Sequence, residues 1–166
     1  DRLEKKKKMM DAWKKRSLNY IEGPSQHDLN KWLKTGINLV DIIPYEMAKR
    51  NNLILISNNF ISDLLEETYK ITDEMRKNVI STYELLVILE RRGEVKKEFV
   101  DRYRGERKLR QEAELIDVLV EYNGRLPVLV DEIFLQEIFE MDGVAILSYK
   151  CNIYVINNIF YSIENE

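Results

Sequence analysis

The stretch that most constrains this chain is Val79 to Leu89, V-I-S-T-Y-E-L-L-V-I-L, in which eight of eleven residues are apolar and only Glu84 is charged. It is too short to cross a membrane and too apolar on all sides for a surface helix. Neighbouring elements must therefore cover it completely. We read it as part of a central helix, about residues 73–91, capped by Thr72 and stopped at Arg91-Arg92-Gly93. The expected fold is mainly α with a small C-terminal β-hairpin (α+β), a compact helical bundle around that buried helix.

The chain of 166 residues fits one domain. A single cysteine, Cys151, excludes an internal disulfide, and the first twenty residues are basic rather than apolar. Both features favour an intracellular protein, cytoplasmic or nuclear. The least polar window, Val144 to Ile163, carries Lys150 and three asparagines, too polar for a membrane span. The first residue is Asp1 rather than Met, so the chain is expected to be a fragment of a larger protein.

Charge is segregated along the chain. Blocks 1–20, 21–90, 91–110 and 111–166 carry net charges of +5, −4, +5 and −9. The first block, with Met10, Trp13, Ser17 and Tyr20 at helical spacing, predicts a basic N-terminal helical arm over residues 1–22. Ile21-Glu22-Gly23-Pro24 breaks it from a globular domain, 23–166.

Within that domain, Ser25 caps a helix Gln26 to Lys34, with Asp28 three residues on. Pro44 suits the first position of a helix Tyr45 to Arg50. Leu53 to Ser57 reads equally as a short buried strand or the start of a buried helix. Phe60 to Lys70 and Glu106 to Tyr122 carry amphipathic helical patterns, and Lys96 to Arg104 fits a short helix. Val128 to Val130 is compatible with a strand before a helix Asp131 to Met141. Val144 to Tyr149 and Ile153 to Ile156 flank Lys150-Cys151-Asn152 and predict the hairpin, about 144–156.

The common nucleotide cradles are missing: no G-x-x-x-x-G-K-[ST] and no G-x-G-x-x-G occurs. His27 is the sole histidine, expected on the surface, and no zinc set or serine triad can be assembled around it. No cofactor and no metal is expected. Phe60 to Tyr69, the turn after it and L-E-R-R-G-E-V match the order of a helix-turn-helix, but no wing hairpin follows Val95.

The remaining constellation is acidic. L-I-L-I-S-N-N-F-I-S-D-L-L, S-T-Y-E-L-L and P-V-L-V-D-E, across residues 53 to 147, resemble the PIN nuclease family. That family places metal-binding acids after its first strand, in two helices and after a fourth strand. The resemblance implies magnesium- or manganese-dependent phosphodiester cleavage, with Glu84, Glu112 and Asp131 (or Glu132) as ligands. Ser57 stands where the family's first aspartate should be, a departure that removes a ligand.

The reading favoured by charge is a non-enzymatic binding or assembly module. It contacts nucleic acid or an acidic partner protein through segments 1–16 and 91–110, and no membrane. The residues expected to carry this are Lys5, Lys6, Lys7, Lys8, Lys14, Lys15, Arg16, Arg102, Arg104, Arg107 and Arg110 on phosphates, with Tyr103 stacking on a base. The alternatives are the PIN-like nuclease, active or degenerate, and a purely structural protein–protein interaction domain.

Overall fold

A computed structural model describes Leu3, Glu4, Lys7, Asp11 and residues 18–33, 39–57, 78–102, 113–130 and 150–157. They form an open five-stranded sheet flanked by helices, not a helical bundle. In chain order the elements are β1 (Asn19–Glu22), α1 (Gln26–Leu33), α2 (Leu39–Arg50), β2 (Ile54–Ile56), β3 (Val79–Ile80), α3 (Thr82–Arg91), α4 (Lys97–Asp101), α5 (Ala113–Val120), β4 (Leu126–Leu129) and β5 (Cys151–Asn157). The strand order is β1-β5-β4-β2-β3, and every pairing is parallel.

The expected bundle and hairpin are both overturned. Val79 and Ile80 are not the middle of a helix. They pair in register with Leu55 and Ile56 of β2, and the helix begins only after Ser81. Cys151 is not in a turn but opens β5, which runs parallel to both β4 and β1. An antiparallel hairpin cannot supply such pairs. Residues 144–149, the other half of that hairpin, lie outside the described residues, as do the helices expected over 60–70 and 131–141.

The physical reason lies in burial on two faces. Parallel strands are covered by helices above and below, so they read as unbroken apolar runs rather than alternating ones. Leu53 to Ile56, Leu126 to Val130 and Ile153 to Ile156 all have that character. Ile56, Ile80, Val128 and Ile153 face α3, α4 and α5, packing with Leu85, Ile88, Val100, Ile116 and Leu119. Their neighbours Leu55, Val79, Leu129 and Tyr154 face the other way, onto Leu29 of α1 and Ile42, Ile43 and Ala48 of α2. The result is three layers.

Two connections lie on opposite faces of the sheet. β1 leads to β2 through α1 and α2 on one face, and β3 returns to β4 through α3, α4 and α5 on the other. The direction of travel across the sheet reverses here, with β3 on one side of β2 and β4 on the other. This is a topological switch point.

The cap expected at Thr72 gives way to Ser81, since residues 79–80 are strand, whereas the cap of α1 is as expected. Asp28 accepts from the Ser25 amide at 3.2 Å and hydroxyl at 2.8 Å, the expected box at the start of α1. α2 begins at Leu39, so Pro44 lies inside it rather than at its first position. The proline removes one helical hydrogen bond that the burial of Ile42, Ile43, Tyr45, Met47 and Ala48 offsets. α2 ends where Asn52 turns left-handed, with φ of 53°, and Leu53 N–H donates back to Ala48 at 2.8 Å.

Candidate functional site

The two edges of the sheet differ in chemistry. At the carboxyl edge, β2 is followed by Ser57, whose N–H donates to the Ile80 carbonyl at 2.9 Å. The next residue of the neighbouring strand is Ser81, the N-cap of α3. Ser81 Oγ accepts from the Glu84 amide at 3.1 Å, and Glu84 Oε1 accepts from the Ser81 amide at 3.0 Å. This reciprocal box satisfies two of the amides that a helix start leaves open. Glu84 is fully buried, and its carboxylate sits at the positive end of the α3 dipole.

On the other side of β2, Leu55 is level with Leu129, so Val130 lies level with Ile56. Val130 N–H donates to Tyr154 at 3.1 Å. The ends of β2, β3 and β4 thus lie side by side, with Ser57, Ser81 and Val130 at one edge. Glu84 anchors the helix that rises from it.

The amino edge carries a different cluster. Arg92 follows α3, and its guanidinium donates to the carbonyls of Leu119 (3.2 Å), Tyr122 (2.9 Å) and Gly124 at the end of α5. Its Nε donates to Glu94 at 3.2 Å. Arg125 donates to the Cys151 carbonyl at 3.0 Å. Burial, reinforced by the charge of Glu94, pushes the Cys151 thiol up to about 12. A thiol held there is a small apolar core residue and not a nucleophile.

Of the residues expected to carry function, the described ones are Lys7, Arg102 and Glu84. Lys7 is helical and exposed, and Arg102 is exposed immediately after α4. Lys5, Lys6, Lys8, Lys14, Lys15, Arg16, Tyr103, Arg104, Arg107 and Arg110 lie outside the described residues, as do Glu112 and Asp131. Two cations of the 91–110 block serve the fold itself: Arg92 as above, and Arg91, which pairs with Asp117 at 3.3 Å. Both stand at the edge opposite Ser57 and Glu84. His27 is exposed in the first turn of α1, as expected.

Among the described residues no group of three or more His, Cys, Asp or Glu is arranged to hold a metal ion. No helix among them is long and apolar enough to cross a membrane. Sequence reasoning missed the structural part of Arg92 and the double duty of S-T-Y-E. The second was visible as a Ser-x-x-Glu capping box. The first had no local signal, because its carbonyl partners lie 27 to 32 residues away.

The described residues define an open parallel α/β sheet covered by helices on both faces, with the strand order reversing between β2 and β4. Protein-family models, curated proteins and solved structures yielded no match to this chain.

Proposed function

We propose that this chain is a nucleic-acid-binding module whose ligand lies along the carboxyl edge of β2, β3 and β4, held there without being cleaved. The observation that carries the reading is the switch point between β2 and β4, since open parallel sheets bind ligands outside the carboxyl ends of the strands at that place. A strand of nucleic acid suits the cationic blocks 1–16 and 91–110. Arg91 and Arg92 face the opposite edge, so phosphate contacts from the second block fall to Arg102 and the residues after it. At the edge itself the Glu84 carboxylate is fully buried and engaged in the α3 cap. A carboxylate so engaged is not placed to gather hard cations, which favours binding over cleavage.

A second reading, metal-dependent cleavage of the PIN kind, is favoured by one observation. The described parts of the three segments that resemble that family meet at one edge: β2 leads to Ser57, β3 to Ser81 at the start of α3, and β4 to Val130. It would use Glu84, Glu112 and Asp131.

Titration of a labelled single strand separates the readings. With about three phosphate contacts, affinity should fall roughly 20-fold between 50 and 200 mM salt. Neutralising Arg102, Arg104 and Arg107 together should remove most of that dependence. Strand cleavage in manganese, abolished by Asp131→Asn, would replace binding with the nuclease. Neither binding nor cleavage would leave a protein–protein interaction domain.

A further inference from the structure

The outward face of α5 is an exposed acidic surface with an apolar ridge. Val118 is 63% and Tyr122 44% exposed, one turn apart, although the opposite side of the same helix buries Ile116 and Leu119 in the core. Exposed Glu114, Asp117 and Glu121 surround the ridge, and among the described residues Asp117 pairs with Arg91. Such a face fits a cationic segment with a large apolar anchor, because aromatic and aliphatic groups supply contact area while the acids fix register.

This chain contains a segment of that chemistry. Lys5 to Lys8, Lys14, Lys15 and Arg16 surround Met9, Met10 and Trp13. The segment enters the sheet through Leu18, which packs into the same core layer as α5, at the amino edge where α5 ends. Of its described residues Leu3, Lys7 and Asp11 are exposed, as are Val118 and Tyr122.

We propose that the acidic face of α5 docks the basic N-terminal segment, Lys5 to Arg16, of a second copy of this chain. The exchange is reciprocal, giving a two-fold dimer with two equivalent contacts. The same lysines are claimed by nucleic acid in the reading above, so nucleic acid and dimer compete for one arm. The dimer itself does not depend on that reading, and its test contains no nucleic acid. Contacts of this size are weak, on the order of micromolar.

Light scattering of the full chain at 50 mM salt should show mass rising with concentration from 19.8 kDa toward twice that value. In 0.5 M salt it should return to the monomer. The double variant Glu114→Lys, Glu121→Lys, both at exposed positions, should weaken association about tenfold or more. Changing Lys14 and Lys15 to Glu in a second chain and mixing the two should restore it. Carbodiimide crosslinks between isotopically light and heavy copies should join Lys5 to Lys15 with Glu114 or Glu121. A monomer at every concentration, a dimer indifferent to these charges, or crosslinks confined to single copies would overturn the proposal. Circular dichroism of each variant confirms that the fold is retained.

Discussion

At the scale of single residues, the most consequential side chain is Glu84. It is fully buried, yet it lies within an apolar run that any pattern-based reading treats as oil. A buried carboxylate persists only where donors meet it, and here the Ser81 amide does so at 3.0 Å. Replacing Glu84 with Ala leaves that buried amide without its acceptor and opens a cavity, and about 2–3 kcal/mol should be lost. Glu84→Gln keeps an acceptor oxygen in place and should cost about half as much. Ser81→Ala removes only the reciprocal arm, worth about 1 kcal/mol. Urea denaturation of the three variants checks the ranking. A Glu84→Ala protein as stable as the parent would show that the cap contributes nothing and would free the carboxylate for another duty.

At the scale of elements, two arginines tie pieces of the chain that are distant in sequence. Arg92 closes the end of α5 through three carbonyls and is itself almost buried, with 9% of its side chain exposed. Arg92→Ala should lower stability by about 2 kcal/mol, because the partners include a carboxylate and the end of a helix. Arg92→Lys should recover little of this, since an ammonium cannot reach the three carbonyls as a planar fork does. Unfolding midpoints measure both. Arg50 joins α2 to the start of α1 through Asp28. The guanidinium, helped by the Ser25 hydroxyl, holds the Asp28 carboxyl well below the usual carboxylate range. A carboxyl depressed in the folded state stabilises the fold at all pH values above its unfolded pKa, and that contribution disappears as pH falls through the folded value. The stability gap between the parent and Arg50→Met should therefore be constant near neutrality and narrow below about pH 4. A gap that stays level down to pH 2 would mean Arg50 acts through packing alone.

At the scale of the whole molecule, some helix starts and stops were readable and the sheet was not, and the starts expected at Thr72 and Pro44 were misplaced. Ser25 and Asp28 begin α1, and Arg91-Arg92-Gly93 ends α3, with Gly93 at φ of 74°, all from local chemistry. Parallel pairing has no local signature: β2 meets β4 more than seventy residues later, and an apolar run of three or four residues fits helix or strand equally. The edge residues followed the same rule. Ser57 and Glu84 were each visible, but only the order β3-β2-β4 shows that they share an edge. The N-terminal segment shows the same limit most sharply. Tyr20 completed a helical pattern with Trp13 in sequence, whereas Asn19–Glu22 form β1 and pair with Tyr154–Asn157 of β5. Leu18 reaches one core layer and Ile21 the other, and Asn19 donates to the Ile153 carbonyl at 3.1 Å. The arm and the fold should therefore separate at residue 17. Removing residues 1–17 should change the unfolding free energy by no more than about 1 kcal/mol, since residues before the first strand take no part in the sheet. Removing residues 1–22 takes away Leu18, Ile21 and a full strand of pairing, and should cost about 3–5 kcal/mol. It also bares β5, whose Ile153 to Ile156 would become an apolar edge prone to self-association. Chemical denaturation and scattering of both truncations measure this difference. Equal losses from the two would place part of the folding energy before residue 18 and unseat the division into arm and sheet.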